Sequence, residues 1–273
     1  MNLSREDLDE VSHTLLDIAR EAAALLRAGW HTGVEVEHKG SIDLVTKYDR
    51  ASEALLVARF RERLPRFDVV AEERGGAPSG ERPVLWADPL DGTTNFAHGH
   101  PFYCVSIGLL DGPTPLAAAV VAPSLDAEYR AAKGSGAWRN GRRCQVTRTA
   151  TLAESLLATG FPYDAHTDAE NNLREFCALT RRTRGVRRCG SAALDLCLTA
   201  DGSFDAYWER KLKPWDVAAG ALMVLEAGGR LSDLDGAPVD VRAGQLMASN
   251  GPLHEPLLAA IRAAREAAPP VMW

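Results

Sequence analysis

The chain has 273 residues, enough for one large domain or two modest ones around a shared core. Apolar residues make up 46% and charged residues 25%, which excludes a disordered chain. Against 37 Asp and Glu stand 31 Lys and Arg, a formal net charge of −6 and the wrong sign for a general binder of nucleic acid or anionic membrane. In chain order, Glu6, Asp7, Asp9 and Glu10 stand where a signal peptide would be basic, so no secretory leader is read. Ser4 is placed to cap a helix whose apolar positions Leu8, Val11, Leu15, Ile18, Ala22 and Leu25 step by three and four, ending near Gly29. A second helix is expected after Asp49, with Ala54, Leu55 and Ala58 on one face and a stop before Pro65. Two short strands each end in acid: residues 68–71 before Glu72, and 84–87 before Asp88. Between them, Gly75 to Pro83 reads as a mobile loop. From Tyr103 to about Val146 the pattern is an antiparallel meander, with turns at 111–113 and at Asn140-Gly141. Its aliphatic run, Leu116 to Ala122, is the longest in the chain and far too short to span a bilayer.

After about Thr151 the texture changes. Strand-like pieces at 156–159, 204–208, 230–232 and 246–249 alternate with helices at 168–180, 192–199, 217–227 and 253–264. The expectation is an α+β half over 1–150 and an α/β half over 151–273, packed as one compact unit. Five cysteines (Cys104, Cys144, Cys177, Cys189 and Cys197) are scattered without a CxxC, as expected for reduced thiols in a cytoplasmic protein.

The informative segment is Trp86-Ala87-Asp88-Pro89-Leu90-Asp91-Gly92-Thr93-Thr94-Asn95. An apolar strand delivers Asp88, and Asp91 follows after a turn, so two carboxylates can point into one cleft. Like charges that close are costly unless a cation lies between them. Oxygen-only ligands of this kind suit Mg²⁺, which completes its shell with water and phosphate. A helix beginning at Gly92 and Thr93 offers backbone N–H groups to a phosphate. Asp is also an ordinary turn and cap residue, and Asp216 standing alone would read as a plain N-cap. Glu72, at the end of the preceding strand, can reach the same rim.

These residues carry a resemblance. The run from Trp86 to Phe96 resembles the first signature of the inositol monophosphatase family, and Pro214 to Gly220, continuing to Gly229, is similar to the second. Lys39 to Thr46 with Asp49, Ala71-Glu72-Glu73, and Arg188 to Leu194 resemble further family segments in the family's order. The resemblance implies a layered αβαβα sandwich of the inositol monophosphatase and fructose-1,6-bisphosphatase type, and a homodimer. It implies two to three Mg²⁺ ions held by Glu72, Asp88, Asp91, Asp216 and the carbonyl of Leu90. Thr93, hydrogen-bonded to Asp49, would orient a water activated by the metal held at Glu72, and that water would attack phosphorus in line without a phosphoenzyme. Gly92 and Thr93 would hold the phosphate. Lys39, Thr94, Ser191, Ala192 and Glu209, together with Asp91 and Asp216, would contact the substrate.

Other features read differently. None of the seven histidines forms an HxxxH or a Cys/His cluster, so zinc is not expected. Ser106 and Ser191 lack the setting of a nucleophile elbow, and Gly228-Gly229 is a helix stop. Arg181, Arg182, Arg184, Arg187 and Arg188 read as a solvated helix end and edge strand. The expectation is therefore a cytoplasmic, Mg²⁺-dependent and Li⁺-sensitive phosphatase of a small polyol phosphate, foremost myo-inositol 1-phosphate. Fructose 1,6-bisphosphate, histidinol phosphate or a 3′-phosphonucleotide is the alternative substrate. A non-catalytic interaction protein on the same scaffold is the alternative class.

Overall fold

A computed structural model describes residues 3–31, 36–38, 44–76 and 78–266. The first half runs α1 (Arg5–Gly29), β1 (Val36–His38), β2 (Leu44–Thr46), α2 (Lys47–Arg63), β3 (Asp68–Ala71), β4 (Val84–Asp91) and α3 (Thr93–Ala97). The meander β5 (Cys104–Asp111), β6 (Thr114–Ala122), β7 (Ala127–Ala132), β8 (Gly136–Arg139) and β9 (Arg142–Arg143) follows. The remainder is β10 (Leu156–Thr159), α4 (Leu173–Thr180), β11 (Gly185–Arg187), α5 (Ala192–Ala200), β12 (Ala206–Arg210), α6 (Pro214–Glu226), β13 (Arg230–Ser232), β14 (Gln245–Ser249) and α7 (His254–Glu266).

Strands β3 to β9 form a seven-stranded sheet in sequence order, and the order β11-β10-β12-β14-β13 makes a five-stranded sheet. Period-two alternation dictates which layer covers each face. In β6, Ala117, Ala119 and Val121 belong to the core under α1 and α2, whereas Ala118, Val120 and Ala122 face α5 and α6. The second sheet repeats the device. Ala158, Tyr207 and Ala248 share the core of α5 and α6, while Leu157, Trp208 and Met247 face α4 and α7. The result is the layered αβαβα sandwich, with α5 and α6 sandwiched between the two sheets.

Several elements differ from the expectations. The first helix begins as expected, with Ser4 and Asp7 forming a reciprocal cap. The second starts earlier, at Lys47, capped by Thr46, and its buried face is Asp49, Ser52, Glu53, Leu56, Val57 and Phe60 rather than Ala54, Leu55 and Ala58. Polar residues occupy the inward stripe because the site lies there, so an apolar periodicity could not find it. Strand β4 continues beyond Ala87 to Asp91, and α4 starts at Leu173 rather than Asp168. Within the described part of the segment read as a mobile loop, Ser79 donates through its N–H and its hydroxyl to Asp68 at 2.6 Å each. The arginine run is exposed and spans β11, an edge strand. Among the described residues no helix is long and apolar enough to cross a membrane.

His254 opens α7 fully buried, with Ser249 Oγ 2.8 Å from Nδ1 and Ser232 Oγ 3.0 Å from Nε2. Burial, with a smaller effect of Arg230, lowers its pKa from 6.5 to about 4. Between those values the unfolded chain gains a proton that the native chain refuses, so this residue removes stability as pH falls through that window. Urea unfolding of His254→Gln is expected to show a lower midpoint at pH 7 and a smaller loss between pH 6.5 and 4 than the parent. An equal loss in both would contradict this account.

Candidate active site

The site forms where strand ends meet. Strands β3 and β4 run parallel, with Ala71 opposite Ala87, so both deliver their C-terminal residues to one edge. Glu72 N donates to Ala87 O at 3.2 Å, which sets Glu72 beside Asp88. In a regular strand Asp88 and Asp91, three positions apart, would point to opposite faces. Instead Asp88 pairs with Ser106 and Asp91 with Cys104, three steps against two, so β4 carries one extra residue. This bulge turns both aspartates to the same side. Pro89 lies within it, and Ser52 of α2 donates to its carbonyl at 2.8 Å.

Gly92 follows in a left-handed conformation with φ of 95°. A Cβ there would lie 2.8 Å from Phe102 O, so the turn requires glycine. Next, Thr93 Oγ1 lies 2.8 Å from Asp49 Oδ1 and 3.0 Å from Leu90 O. Asp49 is buried and accepts from Thr46 N at 2.8 Å and Thr46 Oγ1 at 2.6 Å through its other oxygen. Burial raises its pKa, opposed by these hydrogen bonds. Asn95 Nδ2 donates to Phe102 O at 2.7 Å and ties α3 to the opposite half by donating to Cys189 O at 2.9 Å.

From that half, Ser191 caps α5 and donates to Asp91 Oδ2 at 2.7 Å, as does Ala193 N at 2.8 Å. Asp216, in the first turn of α6, accepts from Lys213 N at 2.7 Å. Asp88 Oδ1 accepts from Leu90 N at 3.0 Å. Each of the three aspartates thus has one oxygen fixed by the chain, which orients the carboxyl plane, while the second takes no part in these bonds. Burial raises the pKa of Asp88 far above the ordinary value, and the charges of Glu72, Asp91 and Asp216 raise it further. Asp216 is raised in the same way, by burial and then by Asp91, Glu72 and Glu209. Asp91 reaches about 6, where burial outweighs the hydrogen bonds from Ser191 and the start of α5. Glu209, in β12, reaches about 7 through burial, against the hydrogen bond from Tyr207 and the charge of Arg188.

The structure therefore brings Glu72, Asp88, Asp91 and Asp216 within reach of one another's charge, joins Thr93 to Asp49 and Leu90, and sets Ser191 and the α5 start against Asp91. Thr94 is exposed on α3, and Lys39 lies outside the described residues. Two supporting residues had no motif to announce them. Ser52 holds the bulge, and buried Glu53 accepts from Glu73 N at 2.8 Å, fixing the turn after Glu72. The polar spacing 49, 52, 53 on a helix was the available signal.

Among the described residues no trio of His, Cys, Asp and Glu forms a ready-made metal cage. Glu72, Asp88, Asp91 and Asp216 instead lie within range of one another's unfavourable charge. That donor set fits hydrated Mg²⁺, which binds through one or two carboxylates, water and phosphate, and does not fit a closed site of zinc type.

The family model described as "Inositol monophosphatase family" matches residues 7–266. The chain belongs to the inositol monophosphatase family. It is 46% identical over 258 residues to the inositol-1-monophosphatase of Synechocystis, covering 92% of this chain and 89% of that protein. It is 42% identical over 234 residues to the Nus factor SuhB of Pseudomonas aeruginosa, covering 84% and 86%. The solved inositol monophosphatase from Anabaena superposes with a TM-score of 0.87 at 39% identity, covering 97% of this chain and 98% of that one. As a family member the chain is a phosphoric monoester hydrolase.

Raised carboxyl pKa values mean that the native chain binds protons more tightly than the unfolded chain, so stability falls as pH climbs above the ordinary carboxyl range. Asp88→Asn keeps the acceptor for Leu90 N and removes a buried charge. In metal-free buffer at pH 8 its Tm is expected to rise by several degrees, given roughly 2–4 °C per kcal/mol at this size. The gain should shrink toward pH 5 and on adding Mg²⁺ to the parent. An unchanged or lower Tm at pH 8 would refute the repulsion.

Proposed function

We propose that this chain hydrolyses a small polyol phosphate monoester, myo-inositol 1-phosphate foremost, in the cytoplasm and with Mg²⁺. The observation carrying this reading is the Thr93–Asp49 hydrogen bond set beside buried Asp88 and half-buried Glu72, Asp91 and Asp216. Glu72, Asp88, Asp91, Asp216 and the carbonyl of Leu90 would hold two to three ions. When bound there, Mg²⁺ neutralises the acids, polarises a water and draws charge from the phosphoryl and leaving oxygens. Asp49 holds the Thr93 hydroxyl in one orientation, so its lone pairs are available to align the attacking water. The N–H groups of Gly92 and Thr93 donate to phosphate oxygens at the start of α3, after the left-handed turn at Gly92. Glu209 accepts hydroxyls of the leaving group, with the backbone at Ala192 and the hydroxyl of Ser191 nearby. Asp91 and Asp216 border both the metals and this polyol end.

Lys39, Thr94, Li⁺ inhibition and a homodimer complete the reading by family resemblance. The relatives named Nus factor SuhB give the interaction-protein alternative its content, with the exposed arginine run as a contact surface. Four clustered acids, with buried Asp88 strained by the other three, favour catalysis over that alternative.

The deciding assay is phosphate release from inositol, sugar, histidinol and nucleotide phosphates, with and without Mg²⁺. Turnover is expected only with Mg²⁺ and highest on the inositol ester. Asp91→Asn should lower kcat about 10²–10³-fold, the effect of losing ~3–4 kcal/mol of transition-state stabilisation. Turnover confined to nucleotide or histidinol phosphate would overturn the inositol assignment. Absence of Mg²⁺-dependent turnover on every ester would favour the interaction protein.

A further inference from the structure

Glu209 sits in a narrow slot. Strands β10 and β12 are parallel, with Thr159 opposite Trp208, so Gly160 and Glu209 leave the pair side by side. Neither strand end can slide. Thr159 Oγ1 donates to Trp208 O at 2.6 Å, and buried Asn172 donates to Gly160 O at 2.9 Å. A Cβ placed on Gly160 would overlap the carboxylate of Glu209, both oxygens and the carbon between them. Gly160 is not among the residues with positive φ, so the backbone does not call for glycine there; the carboxylate does.

A second contact holds the same carboxylate. Tyr207, fully buried and two residues earlier on the same face of β12, donates its hydroxyl to Glu209 Oε2. The Gly160 backbone on one side and the Tyr207 hydroxyl on the other set where the carboxylate lies.

We propose that Gly160 is a specificity-determining residue: its missing side chain creates the slot that positions Glu209, and thereby selects leaving groups that carry hydroxyls over those that do not. The inference rests on the polyol phosphate reading, in which Glu209 accepts those hydroxyls. Gly160 touches no substrate and acts only through Glu209, so it is a positioning residue.

A double-mutant cycle tests this with Gly160→Ala, Glu209→Ala and the combined variant. The primary readout is the ratio of kcat/KM for myo-inositol 1-phosphate to that for p-nitrophenyl phosphate, whose leaving group has no polyol hydroxyls. Gly160→Ala is expected to lower this ratio about tenfold, chiefly through KM, a range set by one lost hydrogen bond to a charged group. In the Glu209→Ala background the same substitution should leave the ratio unchanged. Melting provides a readout independent of catalysis: Gly160→Ala should lower Tm, and most of that loss should vanish once Glu209 is truncated. An unaltered ratio in Gly160→Ala, or the same factor in both backgrounds, overturns the proposal. Additive Tm losses overturn its geometric basis. A parent enzyme that turns over the aryl ester with Mg²⁺ but shows no preference for any hydroxyl-bearing phosphate would bring down the substrate reading instead, and the melting cycle would still decide whether Gly160 and Glu209 are coupled.

Discussion

Repulsion among buried carboxylates is the constraint around which this molecule is arranged. Asp88 is almost completely buried and senses three other acids, and Asp91 and Asp216 are raised with it. A hydrophobic core gains nothing from such a group, and the chain tolerates it through bonds that fix each carboxylate separately. Leu90 N, the start of α5 and Lys213 N each satisfy one oxygen. The charges come together because the backbone brings them there, against their own preference. Strain of this type is what a divalent cation relieves, so the apo fold and the proposed chemistry share one cause.

Much of the architecture depends on holding that cluster from two directions. The parallel β3–β4 pair supplies Glu72 and Asp88 at one edge, and the bulge supplies Asp91 on the same side. The middle layer supplies the rest, since α5 and α6 both begin at the site and both bury their apolar residues between the sheets. Side chains of α2 support the arrangement from the opposite face through Asp49, Ser52 and Glu53.

Legibility from the sequence followed the same division. Wherever apolar periodicity met a capping residue the element was readable, as with Ser4 and α1, the meander, and β10 and β13. It failed at α2, where the inward stripe is polar for the sake of the site. It also failed at β4, because a proline and two acids do not look like strand and only pairing with β5 shows that they are one. Among site residues, those in motifs were readable from their chemistry. Ser52, Glu53 and Gly160 were not, because their roles are contacts with other chain segments and have no local pattern. The acids also serve the fold: Asp216 is not the N-cap of α6 but its third residue, accepting from the N–H of Lys213 at the cap position, and Asp91 anchors the start of α5.

That double duty bears on how such a chain can diverge. A descendant that abandoned hydrolysis and kept only a binding surface would still be under pressure to retain Asp91 and Asp216, because two helix starts lean on them. Asp88 is different, since its ionised form burdens the fold and a neutral amide can serve Leu90 N equally well. Loss of activity in this lineage would therefore surface first at position 88, and an aspartate surviving at 91 would be a poor witness to a living enzyme.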